Sequence, residues 1–173
     1  MSAPMAERTP TRIIPFGGTG ELRSALFSRA WELHKDGALI AAGRRYVWRR
    51  TSEVELIDGR HWLISPGGWG IVELTEGDEM LARGERQSWL GRAWDLTGES
   101  FGYQLRARSM TLRKWSIELG GGEVALLDGG VASFNRLRIE AHLPIPLEVV
   151  MLSWHIVVRA WEAAASAAGG AGA

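Results

Sequence analysis

Short segments in which apolar and polar residues alternate fill most of the chain, and glycine-containing turns separate them. Four similar units begin at Trp31, Trp69, Trp94 and Trp115. Each contains an alternating segment, a turn that includes glycine, and a second apolar segment. Alternation with period two gives a strand one buried face, and glycine tolerates the positive φ that tight turns require. Each unit therefore predicts a β-hairpin.

Further strands are predicted between and after these units. The segments are "RRYVWRR", "SEVELI", "RHWLIS" and "RLRIEAHL", with "SEVELI" and "RHWLIS" joined across Asp58 and Gly59. The total comes to about eleven or twelve strands. A sheet of that size normally closes or splits, because its edges and its apolar face must be covered.

The segment from Leu147 to Val158, "LEVVMLSWHIVV", is apolar on nearly every side of a helix. A membrane span needs about 20 mostly apolar residues, so this shorter helix is expected to be buried in protein. A barrel of about twelve strands is too wide for its own side chains to fill, and a helix of roughly 10 Å diameter fits inside it. The predicted fold is therefore mainly β: a closed antiparallel barrel of about 12 strands that encloses one hydrophobic C-terminal α-helix at about 147–160.

The two ends of the chain differ in composition from the middle. Residues 1–22 are rich in Pro, Thr and Gly, and residues 164–173 are Ala and Gly with one Ser. We predict that both segments are disordered and that residues 23–163 form a single barrel domain. The first residues have no apolar stretch of signal-peptide length, which predicts a cytoplasmic protein, peripheral at the membrane if it binds lipid.

Composition and motifs argue against several classes of function. The formal net charge is zero, so no nucleic-acid partner is expected, and the absence of cysteine excludes thiol chemistry. We find no catalytic constellation, no metal-ligand spacing and no phosphate loop, and we predict no enzyme activity, no cofactor and no metal. His155 lies in the apolar helix and is interpreted as a core histidine, with a functional role as the alternative. The nine tryptophans are interpreted as packing residues, with a ring-stacking ligand site as the alternative.

Arginines near aromatic residues are the main functional signal. The stretch "GRRYVWRR" places four arginines around Tyr46 and Trp48, and two more lie in "RARS". Arginine beside an aromatic ring suits an anionic lipid headgroup or a phosphorylated small ligand, whereas the alternative is a solvated barrel exterior. The candidate residues are Arg44, Arg45, Arg49, Arg50, Arg106 and Arg108. Lipid binding predicts that Arg44, Arg50, Arg106 and Arg108 meet in one patch, and a purely structural barrel predicts that they scatter.

A meander of about twelve strands followed by one hydrophobic C-terminal helix resembles the tubby C-terminal-like superfamily, in particular its small scramblase-like and LURP-one-related members. The resemblance covers about residues 25–163 and rests on the repeated hairpin units and on "PLEVVMLSWHIVV". It implies a non-enzymatic binding module, since the superfamily includes phosphoinositide binders and proteins linked to lipid movement. The alternative is a structural or protein-interaction barrel without lipid binding, so the expected partner is an anionic membrane surface or another protein.

Overall fold

The structure is a computed structural model, and it describes residues 13–25, 28–130 and 134–170. Twelve β-strands precede one α-helix. Their bounds are β1 Pro15–Arg23, β2 Ala30–Lys35, β3 Ala38–Tyr46, β4 Thr51–Leu56, β5 His61–Gly68, β6 Ile71–Glu76, β7 Glu79–Arg86, β8 Ala93–Gly98, β9 Gly102–Ala107, β10 Lys114–Leu119, β11 Gly122–Asp128, β12 Arg136–Pro146 and α1 Leu147–Gly170.

The strands form a closed barrel in which each strand pairs with its neighbours in the sequence, and β1 pairs with β12 to complete the ring. All of these pairings are antiparallel; at the closure Pro15 lies opposite Pro146 and Arg23 lies opposite Arg136. The four hairpins that begin near the repeated tryptophans are β2–β3, β6–β7, β8–β9 and β10–β11. The predicted fold class is therefore confirmed.

Alternation along each strand decides which side chains enter the barrel. In β4, Ser52, Val54 and Leu56 are buried, whereas Glu53 and Glu55 are exposed. In an antiparallel barrel every second residue faces inward, so the inward residues of all twelve strands surround one continuous interior. That interior is occupied by α1.

The first half of α1 is buried on all of its faces. Val150, Trp154 and Val157 are each fully buried, as the all-round apolarity of this segment predicted. Each fully buried side chain of this kind contributes about 1.5–3 kcal/mol. Inward glycines make room for the largest helix side chains: a Cβ added at Gly43 would lie 2.7 Å from the Trp154 ring, and one at Gly129 would overlap the Trp161 ring.

Four predictions about boundaries are wrong in part. The prediction of disorder for residues 1–22 fails at 15–22, because Phe16 and Leu22 point into the core and Gly20 lies against the Phe16 ring, so the glycine-rich segment closes the barrel. The predicted strand over "RRYVWRR" ends at Tyr46 and turns at 47–50, with Arg50 at φ 54°. The helix continues beyond 160 to Gly170, since alanine extends an existing helix at low cost, so the prediction of disorder for residues 164–173 fails at 164–170. The rest of the two segments predicted to be disordered, residues 1–12 and 171–173, lies outside the described residues.

The connections at the two ends of the barrel differ in charge. One end carries the turns 36–37, 57–60, 77–78, 99–101 and 120–121, whose charged residues are Asp36, Asp58, Asp78, Glu99 and Arg60. This end is called the acidic rim. The helix begins there, since α1 follows β12 directly, and it leaves the barrel at the opposite end.

Candidate functional site

The end of the barrel from which α1 emerges is rich in arginine. Its six connections follow the odd-numbered strands and span residues 24–29, 47–50, 69–70, 87–92, 108–113 and 129–135. Their sequence contains no Asp or Glu and six arginines: Arg29, Arg49, Arg50, Arg92, Arg108 and Arg113. These connections are called the basic rim. Although the net charge of the chain is zero, the barrel is therefore polarised along its axis.

Three tryptophans of the basic rim project into solvent. Trp48, Trp69 and Trp89 are 91%, 82% and 80% exposed, and they lie on three successive connections around the rim. Large exposed aromatic side chains that cluster on one face mark an interaction surface, whereas scattered ones need no explanation. The prediction that the tryptophans serve packing holds for five buried residues, Trp31, Trp62, Trp115, Trp154 and Trp161, but not for these three.

A recess opens beside α1 within the basic rim, with a volume of about 400 Å³. Arg50, Arg86 and Arg159 line it together with Trp69 and with apolar side chains of the helix and the neighbouring strands. The helix contributes small residues here, which leaves space between it and the barrel wall: Ala160, Ala163 and Ala164. This cavity is called the rim recess.

The arginines of the rim recess lack acidic partners within the described part of the chain. Arg86 stacks over the Trp69 ring at 4.4 Å, and its buried Nε has no hydrogen-bond partner. Burial lowers the pKa of Arg159, and repulsion from Arg50, Arg45 and Arg86 lowers it further, against an opposing effect of Glu162. The rim recess is therefore a partly desolvated site with an excess of positive charge.

Arg45 has a different role from the one predicted for it. The side chain is 3% exposed and points into the barrel, where Nη2 and Nε donate to the two carboxylate oxygens of Glu162 at 2.7 and 3.1 Å. It also lies 3.4 Å from Ser52 Oγ and from His155 Nδ1. Alternation in β3 places Gly43 and Arg45 on the inward face, so Arg45 cannot reach a surface ligand in this structure.

The other predicted arginines do not meet in one patch. Arg44 lies on the outer wall at β3, whereas Arg106 lies on β9, six strands away in either direction around the barrel. Arg106 and Arg108 lie 3.3 and 3.8 Å from the Glu118 carboxylate, which offsets their charge. Arg49, Arg50 and Arg108 do belong to the basic rim. The set predicted from sequence is thus divided between the interior, the outer wall and the rim.

His155 forms the polar centre of the interior. Its Nδ1 lies 2.9 Å from Ser52 Oγ, and burial lowers its pKa well below the usual value, with further lowering by Arg45 and Arg159. Ser52 and His155 are both fully buried, so this serine–histidine pair is not accessible to a substrate in this structure. Nε2 of His155 has no partner among the described residues. Those residues also contain no cluster of three acidic or histidine side chains that could hold a metal ion.

Two of the residues that define the rim recess were missed by sequence reasoning. Arg86 ends β7 and Arg159 lies where the helix leaves the barrel, and neither belongs to a local basic cluster. A signal for the basic rim was nevertheless present in the sequence. Every second connection of a meander lies at the same end of the barrel, and these connections contain arginine without a single acidic residue.

Comparison of the chain with protein-family models, with curated proteins and with solved structures finds no match. The resemblance to the tubby C-terminal-like superfamily therefore rests on architecture alone. Within the described residues, no helix has the length and apolarity that crossing a membrane would require.

Proposed function

We propose that this protein is a non-enzymatic binding module that docks its basic rim onto an anionic membrane surface. The observation that carries the proposal is the coincidence of three exposed tryptophans with arginines at one end of a charge-polarised barrel. Tryptophan favours the membrane–water interface because its ring is amphipathic, and arginine is attracted by anionic headgroups. Membership of the tubby-like superfamily, which includes lipid binders, stays part of this proposal.

The attraction can be estimated from the rim residues. Arg29, Arg49 and Arg50 are exposed, and none of them forms an ion pair with a described residue. Each basic side chain near an anionic surface contributes about 1 kcal/mol, so these three give about 3 kcal/mol at low salt. Insertion of Trp48, Trp69 and Trp89 adds apolar burial that salt does not screen. Binding is therefore expected to weaken at high salt without disappearing completely.

The test is co-sedimentation with phosphatidylcholine vesicles, with and without phosphatidylserine, at low and high salt. The double variant Trp48→Ser/Trp89→Ser should lose most binding, and the variant Arg49→Gln should bind less at low salt only. Two matched controls sit elsewhere on the barrel. Ile57→Ser removes an apolar side chain, 73% exposed, from the acidic rim, and Arg44→Gln removes an exposed arginine from the outer wall.

Wild-type protein that ignores anionic vesicles at low salt would refute the proposal and leave the structural or protein-interaction barrel. If Arg44→Gln weakens binding as much as Arg49→Gln does, the membrane contact lies on the wall of the barrel and the basic rim is the wrong surface. Equal loss in Ile57→Ser and in the tryptophan variant would mean that the orientation is not set by the basic rim.

A further inference from the structure

The rim recess has features that membrane docking does not require. The docking surface is formed by the tips of the connections; the rim recess shares Arg50 and Trp69 with that surface but extends deeper, between α1 and β5–β8. Arg86 and Arg159 are half-buried there. Arg86 and Arg159 are therefore placed to contact a ligand inside the cavity and not the membrane surface.

Arg45 is an example of a structural arginine in this barrel, because its charge is fully paired. The guanidinium of Arg45 is matched by a bidentate carboxylate, Glu162, at 2.7 and 3.1 Å. No described carboxylate forms an ion pair with Arg50, Arg86 or Arg159, and Glu162 is already engaged with Arg45. Grouping these three guanidinium groups at one cavity is unfavourable for the free protein, because like charges repel and because Arg86 and Arg159 are half-buried.

The residues that line the cavity indicate which ligand would offset the repulsion between the arginines. Guanidinium groups bind phosphate through paired, charge-assisted hydrogen bonds, and three of them match a doubly charged phosphate monoester better than a singly charged carboxylate. Apolar side chains form the rest of the lining: Ile71, Val72, Leu90, Trp94, Leu112 and Ile156. They would accept an apolar or flat group that is attached to the phosphate.

We infer that the rim recess binds a phosphate monoester carried on an apolar group, with Arg50, Arg86 and Arg159 around the phosphate. Gly70 and Gly91 flank the Arg86 side chain. Both have positive φ, at 70° and 67°, which favours glycine, whereas a Cβ on either would make only an ordinary contact with Arg86, at 3.4 and 3.6 Å.

The phosphate monoester could come from a free metabolite or from a lipid headgroup, and the experiment distinguishes the two. Thermal unfolding is followed against rising concentrations of hexyl phosphate, inorganic phosphate and hexanol, at constant ionic strength. Hexyl phosphate should raise the melting temperature most, inorganic phosphate less, and hexanol least, because binding to the folded state stabilises it by mass action. Arg50→Gln and Arg159→Gln should each weaken the affinity for hexyl phosphate by roughly tenfold or more.

Arg49→Gln is the matched control, since Arg49 adjoins Arg50 on the same turn and does not line the rim recess. The affinity of the Arg49→Gln variant for hexyl phosphate should stay within about twofold of wild type, as expected for a surface charge outside the site. Ligand-free Arg159→Gln should be at least as stable as wild type, because the substitution relieves repulsion. A merely structural Arg159 predicts loss of stability and no change in affinity.

A wild type that responds to no phosphate compound would overturn the inference, and so would equal affinities in Arg50→Gln, Arg159→Gln and Arg49→Gln. If hexyl phosphate raises the melting temperature no more than inorganic phosphate does, the proposal that the ligand carries an apolar group is wrong. Vesicles containing phosphatidic acid identify the source: a lipid headgroup predicts that Arg159→Gln lowers vesicle binding, and a free metabolite predicts that it does not. The double variant Trp48→Ser/Trp89→Ser should keep its affinity for hexyl phosphate, so failure of membrane docking and failure of the recess are separable.

Discussion

Replacement of Gly43 by alanine tests how tightly the helix fits its barrel. The new Cβ would lie 2.7, 3.2 and 3.3 Å from three atoms of the Trp154 ring, whereas ordinary carbon–carbon contacts are about 3.5–4.0 Å. The indole is rigid and fully buried, and it is held by Trp31 at 6.0 Å between ring centroids. Either the helix or β3 must move by about 1 Å to restore an ordinary contact.

We expect Gly43→Ala to lower the free energy of unfolding by about 3 kcal/mol, at the upper end of overpacking costs, because both contacting groups lie within the closed barrel. Urea denaturation followed by far-UV circular dichroism measures this loss. Gly102→Ala is the matched control: Gly102 also lies in a strand, but an added Cβ meets nothing within 4 Å, so the change should be within about 0.5 kcal/mol.

A second substitution locates the strain. Trp154→Leu removes the ring and leaves a cavity, which costs about 3 kcal/mol on its own. In the double variant the alanine methyl occupies part of that space, so the loss should be smaller than the sum of the single losses by about 2 kcal/mol. Equal stabilities of Gly43→Ala and Gly102→Ala, or strict additivity in the double variant, would show that Trp154 is not seated against Gly43.

Three further predictions concern the interior. Val150→Asp buries a charge without a partner and should cost several kcal/mol, which is comparable to the stability of a whole domain, so we expect insoluble or unfolded protein; an unchanged melting curve would contradict this. Glu162→Gln removes the carboxylate partner of buried Arg45 but lies at a half-exposed position, so chemical denaturation should show a loss of about 2 kcal/mol, and no loss would mean that water replaces the carboxylate. The pKa of His155 is lowered in the folded state, so below pH 6.5 the unfolded chain binds a proton that the folded chain does not. The free energy of unfolding should therefore fall by at most about 1.4 kcal/mol per pH unit as the pH drops below 6.5. The variant His155→Gln should lose this pH dependence, whereas the control His61→Gln, at an exposed position, should keep it.

Much of the fold follows from local signals in the sequence. Glycine turns and period-two alternation predicted the hairpins. The short apolar segment without a polar face predicted that the helix is enclosed by the barrel. The first strand was missed because Gly17, Gly18 and Gly20 depress strand propensity, and only its pairing with β12 and β2 reveals its role. Strand alternation alone could have placed Arg45 inward with Gly43, but its carboxylate partner comes from the distant helix.

The candidate site was harder to predict, since it is formed by several separate connections that meet at one end of the barrel. The exposure of Trp48, Trp69 and Trp89 depends on their position in connections, at points where strand alternation has already ended. Arg86 and Arg159 come together only because α1 passes through the barrel and emerges beside β7. No local pattern contains that information.

The closure of the barrel also sets the order of events during folding. The strand that completes the ring, β12, pairs with the first strand, and the helix that fills the ring comes after both in the chain. Contacts between residues so far apart form slowly, because a long loop must close before they contribute. Until the helix is seated, the inward faces of up to twelve strands lack their central packing partner, and such species aggregate readily. We therefore expect that, during synthesis, closing the sheet and seating the helix coincide in one late, cooperative step.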